Sequence, residues 1–318
     1  MQTILIYNPQ AGIASNPGPN EILQGLRAAG YKPEYVVTSS VVELEKALTR
    51  AEDLVVVAGG DGTLRAVATR LLDRDVRIAP VPIGTANNVA RMLALTGGPL
   101  DIIAGLADPV ERALDIGCMR TPDGPGYFLE AMGIGIFADI LKKYDPGVGK
   151  SIPRGIHSMM ETLTEYLPKF FHVDLDGEDL SGSYFLFEVM NTPTLGFRFV
   201  LAPDAQADDG LFDLILIHAN ERDSYLKFMT SILTGSLDRL PTVSVKRGRK
   251  LEIAWRGFPL HLDEEVVDGS RWPREDNPIQ TDKPNSLDVS GPFLQVEIMH
   301  QAVRFLVPRT TMNGTVKT

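Results

Sequence analysis

Leu54-Val55-Val56-Val57-Ala58-Gly59-Gly60-Asp61-Gly62-Thr63 is the stretch on which the fold turns. A short, unbroken, β-branched apolar run ends in a glycine turn, the pattern of a strand buried on both faces. Asp61 and Thr63 follow at once, and then Leu64, Val67, Ala68, Leu71 and Leu72 recur at helical spacing. Gly59, Gly60 and Gly62 let a ligand approach the main chain closely. A helix starting here opens with unpaired N–H groups and a partial positive charge. Strand, glycine turn and helix together therefore make a phosphate cradle. The same residues also suit a plain tight turn with Asp61 or Thr63 as helix cap. The glycines alone leave both readings open.

Outward from this stretch, residues 1–118 alternate strand and helix. Thr3–Tyr7, Tyr35–Thr38 and Val76–Pro82 read as strands. Glu21–Ala29 and Val42–Arg50 read as helices, and Gly84–Leu95 as a turn followed by a helix. Helices between buried strands predict a doubly wound, Rossmann-like parallel sheet. Ligands bind such sheets at the carboxyl ends of the strands. Asn8-Pro9, Thr38, Gly60–Thr63 and Gly84-Thr85 all follow strands and should converge on one edge. From about Asp115 the texture changes. Phe128–Met132, Ser183–Met190, Leu211–His218, Thr242–Val245, Lys250–Trp255 and Leu294–Met299 read as strands with glycine- and proline-rich joins. Two helical stretches, Ile156–Leu167 and Ser224–Leu233, interrupt them, and the polar Asp268–Ser290 reads as a long surface loop. An antiparallel β-rich sandwich is expected for residues 119–299, with residues 300–318 returning to the α/β domain of residues 1–118.

At 318 residues the chain is long enough for two domains with separate cores. Its 44% hydrophobic and 23% charged content excludes a disordered chain. A net charge of −10 argues against broad binding to nucleic acid or to an anionic membrane. The basic run Lys246-Arg247-Gly248-Arg249-Lys250 reads as a solvated turn between strands. The single cysteine, Cys118, excludes an internal disulfide and fits a reducing compartment. The chain shows neither a signal-peptide pattern nor an apolar run of membrane-spanning length, so a cytoplasmic protein is expected.

Several motifs fail on inspection. Gly149-Lys150-Ser151 resembles the end of a phosphate-binding loop, but Tyr144 stands where the first glycine is needed. Gly133-Ile134-Gly135 lacks the βα unit and ribose-binding acid of a dinucleotide fingerprint and reads as close backbone packing. The five histidines show no metal-ligand spacing, and no GxSxG elbow is present.

Six motifs survive, in order: Asn8-Pro9-Gln10-Ala11-Gly12; Gly59–Thr63; Pro82-Ile83-Gly84-Thr85-Ala86-Asn87; Asn191 to Gly196; Pro203 to Leu211; and Asp263-Glu264-Glu265. Together they resemble the lipid kinases with a diacylglycerol-kinase-type catalytic domain, in particular the soluble bacterial kind, nearly end to end. The resemblance implies a nucleotide site between two domains. Asn8, Thr38, Gly59, Gly60, Asp61, Gly62, Thr63, Leu64, Arg65, Ala66, Gly84, Thr85 and Asn87 would contact ATP, with Asp61 holding or orienting Mg²⁺ at the triphosphate. Glu265 takes the role of the catalytic base, ahead of Glu264. A structural Mg²⁺ is implied at the Asp209 side chain and the carbonyls of Gln206 and Leu211. The partner is a lipid substrate presented at a membrane surface, met transiently; the apolar groove for its acyl chains is sought near Met159, Met160 and Leu163. A homodimer is admitted.

Three departures from the pattern are visible. Glu264 stands where the family has glycine, so either the turn differs or Glu264 is an exposed neighbour in an ordinary conformation. Ile13-Ala14-Ser15-Asn16 carries no basic residue after the first turn, and Asn88 replaces a frequent aspartate. The rival readings are a soluble-alcohol kinase of the NAD kinase type, which shares the glycine turn but leaves Asp263–Glu265 unexplained, and a lipid- or nucleotide-binding regulator without turnover.

Overall fold

Leu54–Gly59 forms a strand whose six residues are all buried. In the computed structural model it is the middle of a parallel sheet. Residues 1–12, 16–38, 40–143, 166–196, 199–218, 225–255, 257–267 and 293–309 are described. The Gly149–Ser151 run, Met159, Met160, Leu163 and the Asp268–Ser290 loop lie outside them, as do all but the last two residues of the expected Ile156–Leu167 helix. The chain divides into two units, one of Met1–Ile116, Ala207–Asp209 and His300–Thr318, the other of Gly117–Gln206 and Gly210–Met299.

In chain order the first unit contains β1 (Gln2–Tyr7), α1 (Pro19–Ala28), β2 (Lys32–Val36), α2 (Val41–Thr49), β3 (Leu54–Gly59), α3 (Asp61–Ala68), β4 (Arg77–Pro82), α4 (Asn88–Met92) and α5 (Pro99–Gly105). β5 (Pro109–Thr121) begins in it and ends in the second unit. The strand order is β4-β3-β1-β2, all parallel. α1 follows from its sequence: Pro19 sits in the first turn, Glu21 returns its carboxylate to the Gly18 N–H at 2.9 Å, and Ile22, Leu23 and Leu26 bury one face. Those side chains share a core with Leu5, Val56, Val81 and Ile103. Each such aliphatic side chain contributes roughly 1.5–3 kcal/mol by leaving water.

Two boundaries differ from expectation. β2 runs over Lys32–Val36 instead of Tyr35–Thr38, because pairing with β1, Gln2↔Lys32 through Ile6↔Val36, sets its limits. It is an edge strand, which tolerates Pro33. The thirteen-residue β5 was not foreseen, since its first five residues are half-buried or exposed and lack an apolar period.

The second unit contains β6 (Gly124–Phe128), β7 (Ala131–Ile134), α6 (Ile136–Lys143), β8 (Lys169–Phe171), β9 (Val173–Leu175), β10 (Glu178–Asp179), β11 (Gly182–Met190), β12 (Thr194–Leu195), β13 (Phe199–Val200), β14 (Phe212–His218), α7 (Tyr225–Thr234), β15 (Val243–Gly248), β16 (Lys250–Ala254), β17 (Leu260–Leu262) and β18 (Glu265–Val267). β19 (Phe293–Pro308) starts in this unit and finishes in the first, where Arg304 and Phe305 pair with Arg77 and Ile78 of β4. One antiparallel sheet has the order β15-β14-β11-β7-β17-β18. Facing it are β9, β16 and the first half of β19, also antiparallel. Phe187 of β11, Leu251 of β16 and Val296 of β19 meet in one core, so the unit is a sandwich. The opposite face of the sheet containing β11 and β14 packs Leu186, Met190 and Ile215 against Phe137 of α6 and Ile232 of α7.

The fold class read from the sequence is therefore the observed one, with local corrections. The single strand expected at Phe128–Met132 is two, β6 and β7, broken at Leu129-Glu130. β19 is sixteen residues long where six were expected. The basic run is a corner, not a turn: β15 ends at Gly248, β16 begins at Lys250, and Arg249 alone lies between. Lys246 pairs with Glu178 at 2.6 Å, and Arg247 with Asp213 at 3.3 Å.

Candidate active site

Three turns meet at the carboxyl ends of β1, β3 and β4. Asn8 follows β1; its main-chain N–H donates to Ala58 O at 2.9 Å, and its side-chain amide donates to Thr63 Oγ1 at 2.9 Å. Gly12 has φ +76°, and a Cβ there would lie 1.7 Å from Ile83 O, so the first turn lies directly on the third. A Cβ on Gly84 would come within 2.5 Å of Gly60 Cα, and one on Gly59 within 2.6 Å of Thr63 Cβ. Gly12 and Gly84 are required because backbone packs on backbone, and at Gly59 the Thr63 side chain fills the space. Asn87, at φ +53°, closes the third turn by accepting from Gly84 N–H at 3.0 Å and donating to Gly84 O at 2.8 Å.

α3 opens with Gly60 as its cap, not Asp61 or Thr63. Asp61 is the first helical residue, and its carboxylate accepts the Val89 N–H of α4 at 3.1 Å. The carboxylate thus ties the second turn to the third. Gly62 and Thr85 are exposed, and Gly60, Asp61, Thr63, Arg65, Ala66 and Gly84 are half-buried. Leu64 departs from the expected contact set: its side chain is buried in the core, so only its main chain faces a ligand. Thr38 is half-buried two residues beyond β2. Beneath the turns, Val57, Gly59, Gly60, Asp61, Leu64 and Asn87 line a cavity of about 10 Å³, room for about one water. A nucleotide would therefore lie over the turns. Backbone that only glycine allows, an eight-residue helix opening at Gly60 and an acidic side chain on its first turn suit a triphosphate with its divalent ion.

Asp263-Glu264-Glu265 is the hairpin between β17 and β18, with Leu262 opposite Glu265. The left-handed residue is Asp263, at φ +52°; Glu264 is not among the positive-φ residues, so the glycine expected at its position is not needed. Aspartate is one of the few side chains that tolerate this region. The Asp263 carboxylate is buried and accepts N–H bonds from Leu129, Glu130 and Ala131 at 3.0, 2.7 and 3.0 Å. This accounts for the break between β6 and β7. Asn191 secures the other side of the same break, donating from its amide to Leu129 O at 2.9 Å and from its main chain to Glu130 O at 2.8 Å. Glu265 is exposed at the start of β18, and Glu264 is half-buried.

Sequence reasoning missed three buried charged residues here. Glu130 accepts from the Gly196 N–H at 3.3 Å. Glu188 and His261, 1% and 0% exposed, meet at 3.0 Å. The available signal was a glutamate inside the apolar run Phe185-Leu186-Phe187-Glu188-Val189-Met190, since a charge in a buried strand requires a partner.

Of the expected structural metal site, Gln206 is exposed and Asp209 and Leu211 are half-buried. Gly210 turns at φ +75°. Among the described residues no group of three or more His, Cys, Asp or Glu side chains is gathered around a common point.

A glycine-turn cradle on a parallel sheet in one unit and an antiparallel sandwich in the other define a two-domain protein with an α/β and a β-rich half. Residues 2–119 match the family described as Diacylglycerol kinase catalytic domain. Residues 156–280 match the YegS C-terminal NAD kinase beta sandwich-like domain. The chain thus carries a diacylglycerol kinase catalytic domain over residues 2–119, followed by a NAD kinase-like beta sandwich domain. It is 29% identical over 252 residues to the diacylglycerol kinase of Bacillus subtilis (strain 168), covering 73% of this chain and 78% of that one. It is 27% identical over 277 residues to that of Staphylococcus carnosus (strain TM300), covering 82% and 87%. A crystal structure of a diacylglycerol kinase from Bacillus anthracis str. Sterne shares the fold, with a TM-score of 0.67, 15% identity and 98% of each chain covered.

Proposed function

We propose that the chain transfers the γ-phosphoryl group of Mg-ATP to the hydroxyl of a diacylglycerol-like lipid. The observation that carries this reading is the meeting of three turns at Gly12, Gly60 and Gly84, where packing leaves no room for a Cβ at Gly12 or Gly84. N–H groups of the Gly60–Thr63 turn bind phosphate oxygens, and the hydroxyls of Thr63 and Thr85 donate to them. Asp61 would hold Mg²⁺, which supplies positive charge at the triphosphate. Asp209, with the carbonyls of Gln206 and Leu211, would hold a second, structural ion. Glu265 accepts the proton of the lipid hydroxyl as its oxygen bonds to the γ-phosphorus and ADP leaves with the bridging oxygen. A positioned base of this kind is worth about 10²–10⁴ in rate. The rest comes from positioning and charge stabilisation. No helix among the described residues is long and apolar enough to cross a membrane. The lipid is met at a membrane surface because a diacylglycerol-like acceptor is itself a membrane component.

The test is transfer of label from γ-³²P-labelled ATP to a panel of lipids in mixed micelles with Mg²⁺, for wild type, Asp61→Ala and Glu265→Gln. Label in one lipid, lost in both variants, supports the reaction and names the acceptor. Label in no lipid with ATP still bound overturns it, and transfer undiminished in Glu265→Gln overturns the assignment of the base.

A further inference from the structure

The three-residue strand β17 is held to the sheet by a row of residues that crosses three strands. His261 lies opposite Gly133 of β7, and Gly133 lies opposite Glu188 of β11. Side chains two strands apart do not ordinarily touch. Here they do, because the residue between them has no side chain: a Cβ on Gly133 would lie 2.2 Å from either oxygen of the Glu188 carboxylate. The carboxylate crosses over β7 and meets His261 Nε2 at 3.0 and 3.2 Å. The other ring nitrogen, Nδ1, lies 2.8 Å from Asp263 O. A carbonyl only accepts, so Nδ1 carries a proton. Phe137 packs on the imidazole with ring centroids 5.1 Å apart.

Asp263 is the left-handed residue of the turn, and it is now held at both ends. Its carboxylate takes three N–H bonds from Leu129, Glu130 and Ala131, and its carbonyl takes one from His261. Two residues further on is Glu265. Among the described residues β18, on which Glu265 stands, pairs with β17 alone. A short edge strand of this kind is mobile unless its turn is anchored.

We infer that Glu188 and His261 are positioning residues for Glu265: the pair, reaching across Gly133, fixes the Asp263 carbonyl and with it the hairpin that presents the base. This rests on the kinase reading above. Neither residue touches substrate. Their loss shows in the rate of transfer rather than in nucleotide binding, which belongs to the other unit.

The experiment measures kcat and KM for ATP in Glu188→Gln, His261→Gln and Phe137→Leu, on the full chain with the accepted lipid, beside Glu265→Gln and a thermal melt of each. Glu188→Gln keeps the shape and an acceptor for the ring; Phe137→Leu only loosens the ring's packing and secures a folded variant. Expected is a fall in kcat of about tenfold for Glu188→Gln and His261→Gln, and a smaller fall for Phe137→Leu, with KM for ATP within about twofold. The double variant Glu188→Gln/His261→Gln should be no slower than either single one, since both break one link. Folded Glu188→Gln or Phe137→Leu protein with wild-type kcat overturns the inference while leaving Glu265 as base. Undiminished transfer in Glu265→Gln overturns the base assignment instead, and the two failures are told apart by which variant keeps its rate.

Discussion

Replacing Asp263 by alanine should cost the second unit several kcal/mol, and the structure sets the size. Three buried N–H groups, those of Leu129, Glu130 and Ala131, lose their acceptor at once. A buried donor left unpartnered costs roughly 1–3 kcal/mol, so three at the low end come to roughly 3 kcal/mol. Alanine held at the φ of +52° seen for Asp263 adds strain. A left-handed alanine costs about 1 kcal/mol. The sum, about 4 kcal/mol, is a large part of the roughly 5–15 kcal/mol that holds a domain together. Asp263→Asn separates the two contributions. Asparagine tolerates the left-handed region and keeps one oxygen acceptor, so it should cost only about 1–2 kcal/mol. The assay is urea unfolding followed by tryptophan fluorescence. Trp255 lies in the core of the second unit, so its signal reports that unit. With a slope of about 2 kcal/mol per molar, the alanine midpoint should drop by about 2 M and the asparagine midpoint by less than about 1 M. An alanine shift below about 0.5 M, or asparagine as damaging as alanine, would refute the claim that the carboxylate holds the break between β6 and β7.

Other outcomes follow from the same geometry. Gly84→Ala places a Cβ 2.5 Å from Gly60 Cα, backbone against backbone, so the two turns must part; ATP affinity by titration calorimetry should fall at least about tenfold, the scale of a 1.4 kcal/mol displacement. Burial depresses the His261 imidazolium, but the Glu188 carboxylate and the Asp263 carbonyl outweigh it, and the folded pKa is raised. A raised folded value means stability fully present below the unfolded pKa of about 6.5 and lost as pH rises through the folded value. The urea midpoint of the second unit should therefore decline above about pH 6.5, and the decline should flatten in Glu188→Gln; an equal slope in that variant would contradict the pairing. Asn8→Ala removes the 2.9 Å link to Thr63 and should lower first-unit stability by about 1 kcal/mol, read by far-ultraviolet circular dichroism. By contrast, Glu34→Gln breaks an ion pair whose side chains are 55% and 52% exposed, and a loss above about 1 kcal/mol would be inconsistent with so much solvent screening.

What the sequence determined by itself is what short-range physics writes locally. A β-branched run ending in glycines is a buried strand and a turn wherever it occurs, and the alternation of such runs with amphipathic helices leaves few topologies open. The parallel sheet containing β3, the antiparallel texture after β5 and the glycine turns were legible for that reason. Asp263–Glu265 was singled out only through a resemblance. Tertiary structure alone decided which turn residue is left-handed, because Asp263 is pinned by main-chain donors more than 130 residues away in the chain. It decided that Phe128–Met132 breaks in two, and that β19 runs on to Pro308, with Gln301 N–H bonded to the buried Asp115 carboxylate at 2.7 Å. It also decided the pairing of Glu188 with His261. A glycine on an intervening strand gives no sign in sequence of the carboxylate that will cross it. Local propensity sees the neighbours of a residue along the chain, whereas a buried charge is stabilised by the neighbours that folding brings.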